Sequence, residues 1–328
     1  MKKNPTLTTP LLVFIIFLLM LAAKLGEKKI IATGGNVYLS AIIVQVLIFI
    51  IPAAVFCRIN GIDYLAHSNI KLFPPSEFGA VVVTALTAAL GTTLIRYGQI
   101  YLFGLRSPTG TLFPAYLGAN IETDQMLPAA MAFALIPAIC EELVFRVITL
   151  TEYNGSGFNA VSASFASVLM SAMLPMSFEL IPIYIFSGIC YCALTYVTRS
   201  ALTAFISHIL LNAYLIFGEK YVFNALSNPA NKFTSLFTIL VLFLISAAFM
   251  FAEFERIMNL SATNGTPTPS YLLVKTDDST PDVSASEYSE NIRRGGVSDN
   301  FRNCVEIFFS PTMLLCILIF VISMFGLF

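Results

Sequence analysis

The sequence predicts an all-α, polytopic membrane protein with about nine transmembrane helices around a four-helix core. Hydrophobic residues make up 57% of the 328 residues and charged residues 11%, whereas soluble globular proteins carry about 25% charged residues. A run of about 20 apolar residues is enough to cross a bilayer as a helix. The predicted spans are residues 11–25, 37–57, 78–95, 127–150, 160–174, 181–197, 201–217, 233–251 and 311–328. The formal net charge of −1 gives no basic surface, so we expect no nucleic-acid partner.

These spans divide the chain into five segments. They are residues 1–126, with the N-terminal spans and loops; 127–218, with four closely spaced core helices; 219–252, with the eighth span; 253–307, a hydrophilic loop; and 308–328, with the C-terminal span. Glycines and prolines break residues 96–126, which we expect to form a loop or a partly re-entrant segment. Ser, Thr, Asp and Asn are abundant in residues 253–307, a composition that predicts a flexible loop without a packed core.

The first core helix carries two adjacent carboxylates and an arginine: Glu141, Glu142 and Arg146. A charged side chain at the centre of a spanning helix costs about 2.5–3.5 kcal/mol, so such residues usually mark a functional site. Glu142 and Arg146 are four residues apart and share a helix face, where they can neutralise each other. Glu141 is five residues before Arg146, about 140° away around a regular α-helix. The spacing therefore predicts that Glu142 and Arg146 form a supporting pair and that Glu141 is left as a general base.

A second polar position lies on a later core helix, where Asn212 follows His208 by one turn. Their N–H groups share a face and are of the type that stabilises a developing oxyanion. The other of the two histidines, His67, lies in a polar stretch between spans and is expected to be solvated. A purely structural interpretation is also possible, with Glu142–Arg146 as a strut and His208 as a buried core residue.

Together, Glu141-Glu142-x-x-x-Arg146 and His208-x-x-x-Asn212 resemble the CPBP family, the CAAX protease and bacteriocin-processing (Abi) membrane proteins, which include the type II CAAX prenyl endopeptidases. The resemblance covers residues 127–217. It implies that Glu141 activates water to attack a peptide bond, that His208 and Asn212 stabilise the oxyanion, and that no cofactor or metal is required. It also implies a multi-pass protein of a bacterial cell membrane, with the lipid bilayer and a peptide or lipidated-protein substrate as partners.

One family motif is incomplete. The family usually carries Phe-x-x-x-His on the intervening helix, and the corresponding positions here are Met170 and Leu174. The missing histidine leaves two hypotheses: an intramembrane endopeptidase, and a catalytically inactive relative that binds a membrane peptide as a scaffold or a bacteriocin self-immunity factor. A third hypothesis is a transporter that uses Glu141, Arg146 and His208 as an ion relay. The lack of an internal repeat and the scarcity of other charges within the predicted spans count against it.

Overall fold

The computed structural model describes residues 4–32, 36–60, 70–103, 123–227, 232–263 and 297–324, which form ten helices and no β-strand. The helices are α1 (Pro5–Ala32), α2 (Val37–Asn60), α3 (Phe78–Phe103), α4 (126–155), α5 (Ala160–Met173), α6 (Ile181–Thr198), α7 (201–227), α8 (Lys232–Thr263), α9 (Val297–Phe308) and α10 (Pro311–Met324). Short 3-10 turns, Pro75–Glu77 and Thr123–Gln125, precede α3 and α4. The predicted all-α class is confirmed.

The helices also confirm a polytopic membrane protein, although not the count of nine spans. Six described helices are long and apolar enough to cross a bilayer, and they lie in α1, α2, α3, α6, α7 and α8. A bent pair, α9 and α10, makes a 59° angle and can be counted as a seventh span. The 14 residues of α5 reach only about 21 Å at 1.5 Å per residue, which is less than the roughly 30 Å of the hydrocarbon core.

Several helices extend beyond their predicted ends. Helix α3 continues past residue 95, and α7 continues past residue 217. Helix α8 reaches Thr263, inside the predicted loop 253–307, and the end of that loop forms α9. These ends were predicted at charged residues, but the charges are paired, so the helices continue through them. Residues 264–296 of the predicted loop, residues 104–122 of the predicted re-entrant segment and His67 lie outside the described residues.

Helix α4 is irregular, with α-helical segments that alternate with two π-helical stretches, Met131–Leu135 and Leu143–Thr149. The first stretch lies just before Pro137, which has no N–H for a regular helical hydrogen bond. In the second stretch, hydroxyl groups supply additional bonds: Thr149 Oγ1 donates to the Val144 carbonyl at 2.9 Å, and Ser167 Oγ of α5 donates to the Phe145 carbonyl at 2.8 Å. Single π-turns in α-helices are rare and frequently occur at functional sites.

The core helices α4 to α7 pack against one another, and α3 joins them by packing on both α6 and α7. Helix α2 covers α4, and α8 covers the outer side of α3. The two ends of the described chain meet where α10 packs on α1: Thr312 Oγ1 donates to the Thr6 carbonyl at 2.9 Å, and Cys316 Sγ lies 3.2 Å from the Pro10 carbonyl oxygen. The polar residues of α4 therefore lie inside a layer of apolar helices.

Candidate active site

Glu142 is the centre of a buried polar cluster that joins α4 to α7. Its side chain is fully buried, with Oε1 2.8 Å from His208 Nδ1 and Oε2 3.0 Å from Arg146 Nε. An ionised carboxylate only accepts hydrogen bonds, so the contact assigns a hydrogen to Nδ1 of His208. The two oxygens of one carboxylate thus hold a cation of the same helix and the imidazole of a neighbouring helix.

Arg146 is held by α6, which comes close because residue 188 is a glycine. The Arg146 Nη2 group donates to the Gly188 carbonyl at 3.3 Å. A Cβ atom at Gly188 would lie only 3.2 Å from Nη2 and 3.4 Å from Val168 of α5. The missing side chain at position 188 therefore makes room for the guanidinium between α5 and α6.

Tyr191 supports both partners of Glu142. Its ring stacks on the imidazole of His208 with 5.0 Å between centroids and 24° between planes. The Arg146 guanidinium lies 5.5 Å from the centroid of the same ring, within the range of a cation–π interaction. The sequence motifs did not identify Tyr191 or Gly188, because both act through contacts between helices and stand far from α4 in the chain.

Glu141 lies beside this cluster and is 9% exposed. Its carboxylate makes no hydrogen bond or ion pair with any residue in the described ranges. The charges that act on it are those of His208, Glu142 and Arg146. The predicted separation of about 140° from Arg146 assumed a regular α-helix, but the π-helical stretch at Leu143–Thr149 turns more slowly and brings positions five apart closer to one face.

Asn212 lies at a different level of α4 from the carboxylates. Its Nδ2 group donates to the Ala134 carbonyl of the first π-helical stretch at 3.4 Å, a long and therefore weak hydrogen bond. Ala134 precedes Glu142 by eight residues, about 12 Å along the helix axis. The structure thus brings His208 to Glu142 and places Asn212 on the same helix pair, but Asn212 does not contact the two glutamates.

The positions of the incomplete motif hold apolar side chains. Met170 and Leu174 are buried in one apolar cluster with Cys140 and Val144 of α4, and neither carries a group that can take a proton from water. Ser171 lies between these two positions in the sequence, and its hydroxyl donates to the Val168 carbonyl of its own helix at 3.0 Å. In the described ranges, no group of three or more His, Cys, Asp or Glu side chains is placed to hold a metal ion; catalysis without metal stays a prediction.

A second ion pair, which the sequence analysis missed, joins α3 to α7. Arg96 Nη1 lies 2.7 Å from Oε1 and 2.5 Å from Oε2 of Glu219. Nearby, the hydroxyl groups of Tyr214 and Thr93 are 2.7 Å apart. Both charges lie within helices that are apolar enough to span a membrane. The expected scarcity of charge within the spans was therefore wrong at these two positions, which lie just beyond the predicted ends 95 and 217.

Comparison with known proteins connects this region to one family. Residues 123–214 match the family model described as Type II CAAX prenyl endopeptidase Rce1-like. The match begins just before α4 and ends after Asn212, so it includes every predicted site residue. No curated protein and no solved structure matches the chain. Through the segment that carries both motifs, the chain is related to the CAAX protease (CPBP) family of membrane peptidases.

Proposed function

We propose that this protein is an intramembrane endopeptidase in which Glu141 activates a water molecule to attack a peptide bond. The observation that carries the proposal is the state of the Glu141 carboxylate. It is nearly buried and makes no hydrogen bond or ion pair with the described residues. The neighbouring charged groups of Glu142, Arg146 and His208 are paired with one another. A general base must be free to accept a proton at the moment of attack. Glu142 does not meet this requirement, because both of its oxygens are engaged.

Stabilisation of the oxyanion by His208 requires a hydrogen on Nε2 in addition to the one on Nδ1, so the proposed reaction uses the doubly protonated imidazole. In that form Arg146 and His208 carry two positive charges against the two carboxylates of Glu141 and Glu142. Burial of unbalanced charge is strongly unfavourable, whereas a balanced and hydrogen-bonded group is tolerated. A protonated His208 keeps its bond to Glu142 through Nδ1 and still presents an Nε2–H donor to a substrate.

The reaction then follows from these positions. Glu141 takes a proton from water while the water oxygen bonds to the peptide carbonyl carbon, and the carbonyl electron pair moves to its oxygen. The resulting oxyanion accepts hydrogen bonds from His208 Nε2–H and from Asn212, which exchanges its long bond to Ala134 for this stronger one. The carbon–nitrogen bond breaks as Glu141 returns the proton to the leaving nitrogen.

The test is cleavage of peptides by the full chain in liposomes, with prenylated CAAX peptides, their unprenylated counterparts and a broader peptide library. We expect Glu141→Gln to reduce cleavage by about 10²-fold or more, because general-base assistance is lost. Glu255→Gln, an exposed glutamate of α8, is the matched control and should cleave at the wild-type rate. Equal rates for wild type and Glu141→Gln, or no cleavage by a folded wild type, would refute the proposal.

A second candidate function is peptide binding without hydrolysis, as a scaffold or a self-immunity factor. The apolar side chains at Met170 and Leu174 favour it, because the expected imidazole is missing there. The same liposomes distinguish the two functions. Photo-crosslinking of an intact membrane peptide, together with no product after long incubation, would support binding alone.

A further inference from the structure

One face of α6 is directed at the polar residues of α4. Tyr184, Gly188 and Tyr191 follow one another at spacings of four and three residues, so they share that face. Gly188 and Tyr191 both contact Arg146. The remaining member of the face, Tyr184, has no role in the cluster described above.

The direction of the two helices places Tyr184 on the same side of the Arg146 contacts as Glu141. Helices α4 and α6 are separated in the chain by α5, which packs against both, so α4 and α6 run in the same direction. Arg146 is level with Gly188 and Tyr191. Moving about one turn towards the N-terminus leads from Arg146 to Glu141 on α4, and from Gly188 to Tyr184 on α6.

The electrostatic contacts agree with this order. The charge that acts on the Tyr184 phenol is that of Glu141, whereas Glu142 acts more strongly than Glu141 on Tyr191. Tyr184 is half-buried, whereas Tyr191 is 2% exposed. Within the described ranges, Tyr184, the more accessible of the two tyrosines, is thus affected only by Glu141, the more accessible of the two glutamates.

Tyr184 and Glu141 are close enough for electrostatic interaction, but among the described residues no direct hydrogen bond joins them. A bridging water molecule can connect two polar groups that make no direct hydrogen bond. We propose that Tyr184 is a catalytic residue that holds the attacking water against Glu141. This role rests on the proposed endopeptidase function.

In this arrangement the water donates one hydrogen to Glu141 and the other to the phenol oxygen of Tyr184. Its lone pair is then directed at the substrate carbonyl carbon. Glu141 removes the first hydrogen as a proton during attack, and Tyr184 remains protonated throughout. Orientation of water by a hydroxyl group compensates for the apolar side chains at Met170 and Leu174, which cannot hydrogen-bond to it.

The test compares the wild type with Tyr184→Phe, Glu141→Gln and Tyr153→Phe in the liposome cleavage assay. Tyr153 is the matched control: its buried hydroxyl has no hydrogen-bond partner among the described residues and lies towards the other end of α4. We expect Tyr184→Phe to lower kcat by about 10²-fold with KM unchanged. The attacking water would lose its orientation, whereas the peptide would keep its binding site. Tyr153→Phe should retain the wild-type kcat.

The outcomes separate this role from the function on which it rests. Loss of cleavage in Glu141→Gln together with a wild-type kcat in Tyr184→Phe would overturn the role of Tyr184 and leave the endopeptidase intact. A Tyr184→Phe effect on KM alone would also overturn it, because it would indicate substrate binding. No cleavage by any folded variant, wild type included, would refute both. A thermal unfolding midpoint equal to that of the wild type verifies that Tyr184→Phe is folded.

Discussion

Glu142–Arg146 and Arg96–Glu219 are both carboxylate–guanidinium pairs among apolar helices, the first buried and the second largely buried, and their surroundings differ. Both carboxylate oxygens of Glu219 accept hydrogen bonds from Arg96, which links α7 to α3. Glu142 gives one oxygen to Arg146 and the other to His208, and a second carboxylate, Glu141, stands beside it. Burial of charge therefore does not by itself identify a functional site. An additional carboxylate that makes no hydrogen bond or ion pair with the described residues distinguishes the candidate active site from a structural ion pair.

Removal of Glu142 should have the largest effect on stability. Glu142→Ala leaves Arg146 and His208 buried without their shared carboxylate, and we expect the free energy of unfolding to fall by about 3–5 kcal/mol. Denaturant unfolding in detergent micelles measures the change, with Glu255→Ala as the control at an exposed position. A loss below about 1 kcal/mol would mean that the cluster contributes no more than a surface ion pair.

The Arg96–Glu219 pair should have a structural role that apolar residues can replace. Glu219→Leu alone removes the carboxylate that is bonded to Arg96, for which we expect a loss of about 3 kcal/mol in unfolding free energy. The double variant Arg96→Met/Glu219→Leu should recover most of that loss, since buried pairs are often replaced by apolar residues at little cost. Peptide cleavage by the double variant should match the wild type. A strong loss of cleavage in a stable double variant would remove the distinction between the two pairs.

A side chain at position 188 should displace Arg146. Gly188→Ala puts a Cβ atom 3.2 Å from Arg146 Nη2, and overpacking of this kind costs about 1–3 kcal/mol. Part of this cost is offset, because alanine is a better helix former than glycine by about 1 kcal/mol, so we expect a net loss of about 1 kcal/mol. The control is Gly155→Ala, where a Cβ meets nothing within 4 Å. A stabilised Gly188→Ala would show that Arg146 relaxes freely.

The smallest effect should come from the hydroxyl of Tyr191. This oxygen is buried and has no hydrogen-bond partner in the described ranges. Tyr191→Phe keeps the ring that stacks on His208 and should change the unfolding free energy by less than about 1 kcal/mol, in the stabilising direction. Tyr191→Leu removes the ring and should cost more. Equal melting temperatures for the two variants would contradict a role for the ring face.

Local features of the site were predictable from the sequence, and tertiary features were not. The Glu142–Arg146 contact follows from a spacing of four residues on one helix, so periodicity alone predicts it. The Glu142–His208 contact joins residues on different helices; the family resemblance assigned the two motifs to one site but did not predict this contact. The π-helical stretches of α4 have no signal in hydropathy, so the predicted angle of about 140° between Glu141 and Arg146 was that of a regular α-helix.

The predicted ends of two helices were wrong for a related physical reason. A hydropathy pattern ends a span at the first charge, but Arg96 and Glu219 neutralise each other across α3 and α7, so neither helix has to stop there. Helix α9 was hidden in a polar segment because its apolar residues are sparse. They recur at helical spacing, with Ile307 fully buried against the core and Phe301 exposed. The mean composition of a segment does not reveal a helix with one apolar face, whereas the spacing of its apolar residues does.

The packing of α10 against α1 has a consequence for biosynthesis. Met313, Cys316 and Phe320 of α10 share an apolar cluster with the early helices α1 and α2 and with Leu174 near the end of α5. Helix α10 leaves the ribosome after all of these helices have been made. The contact between α1 and α10 therefore cannot form until the chain has been synthesised through α10. A chain stalled before α10 would expose to the lipid the apolar surface of α1 that α10 covers.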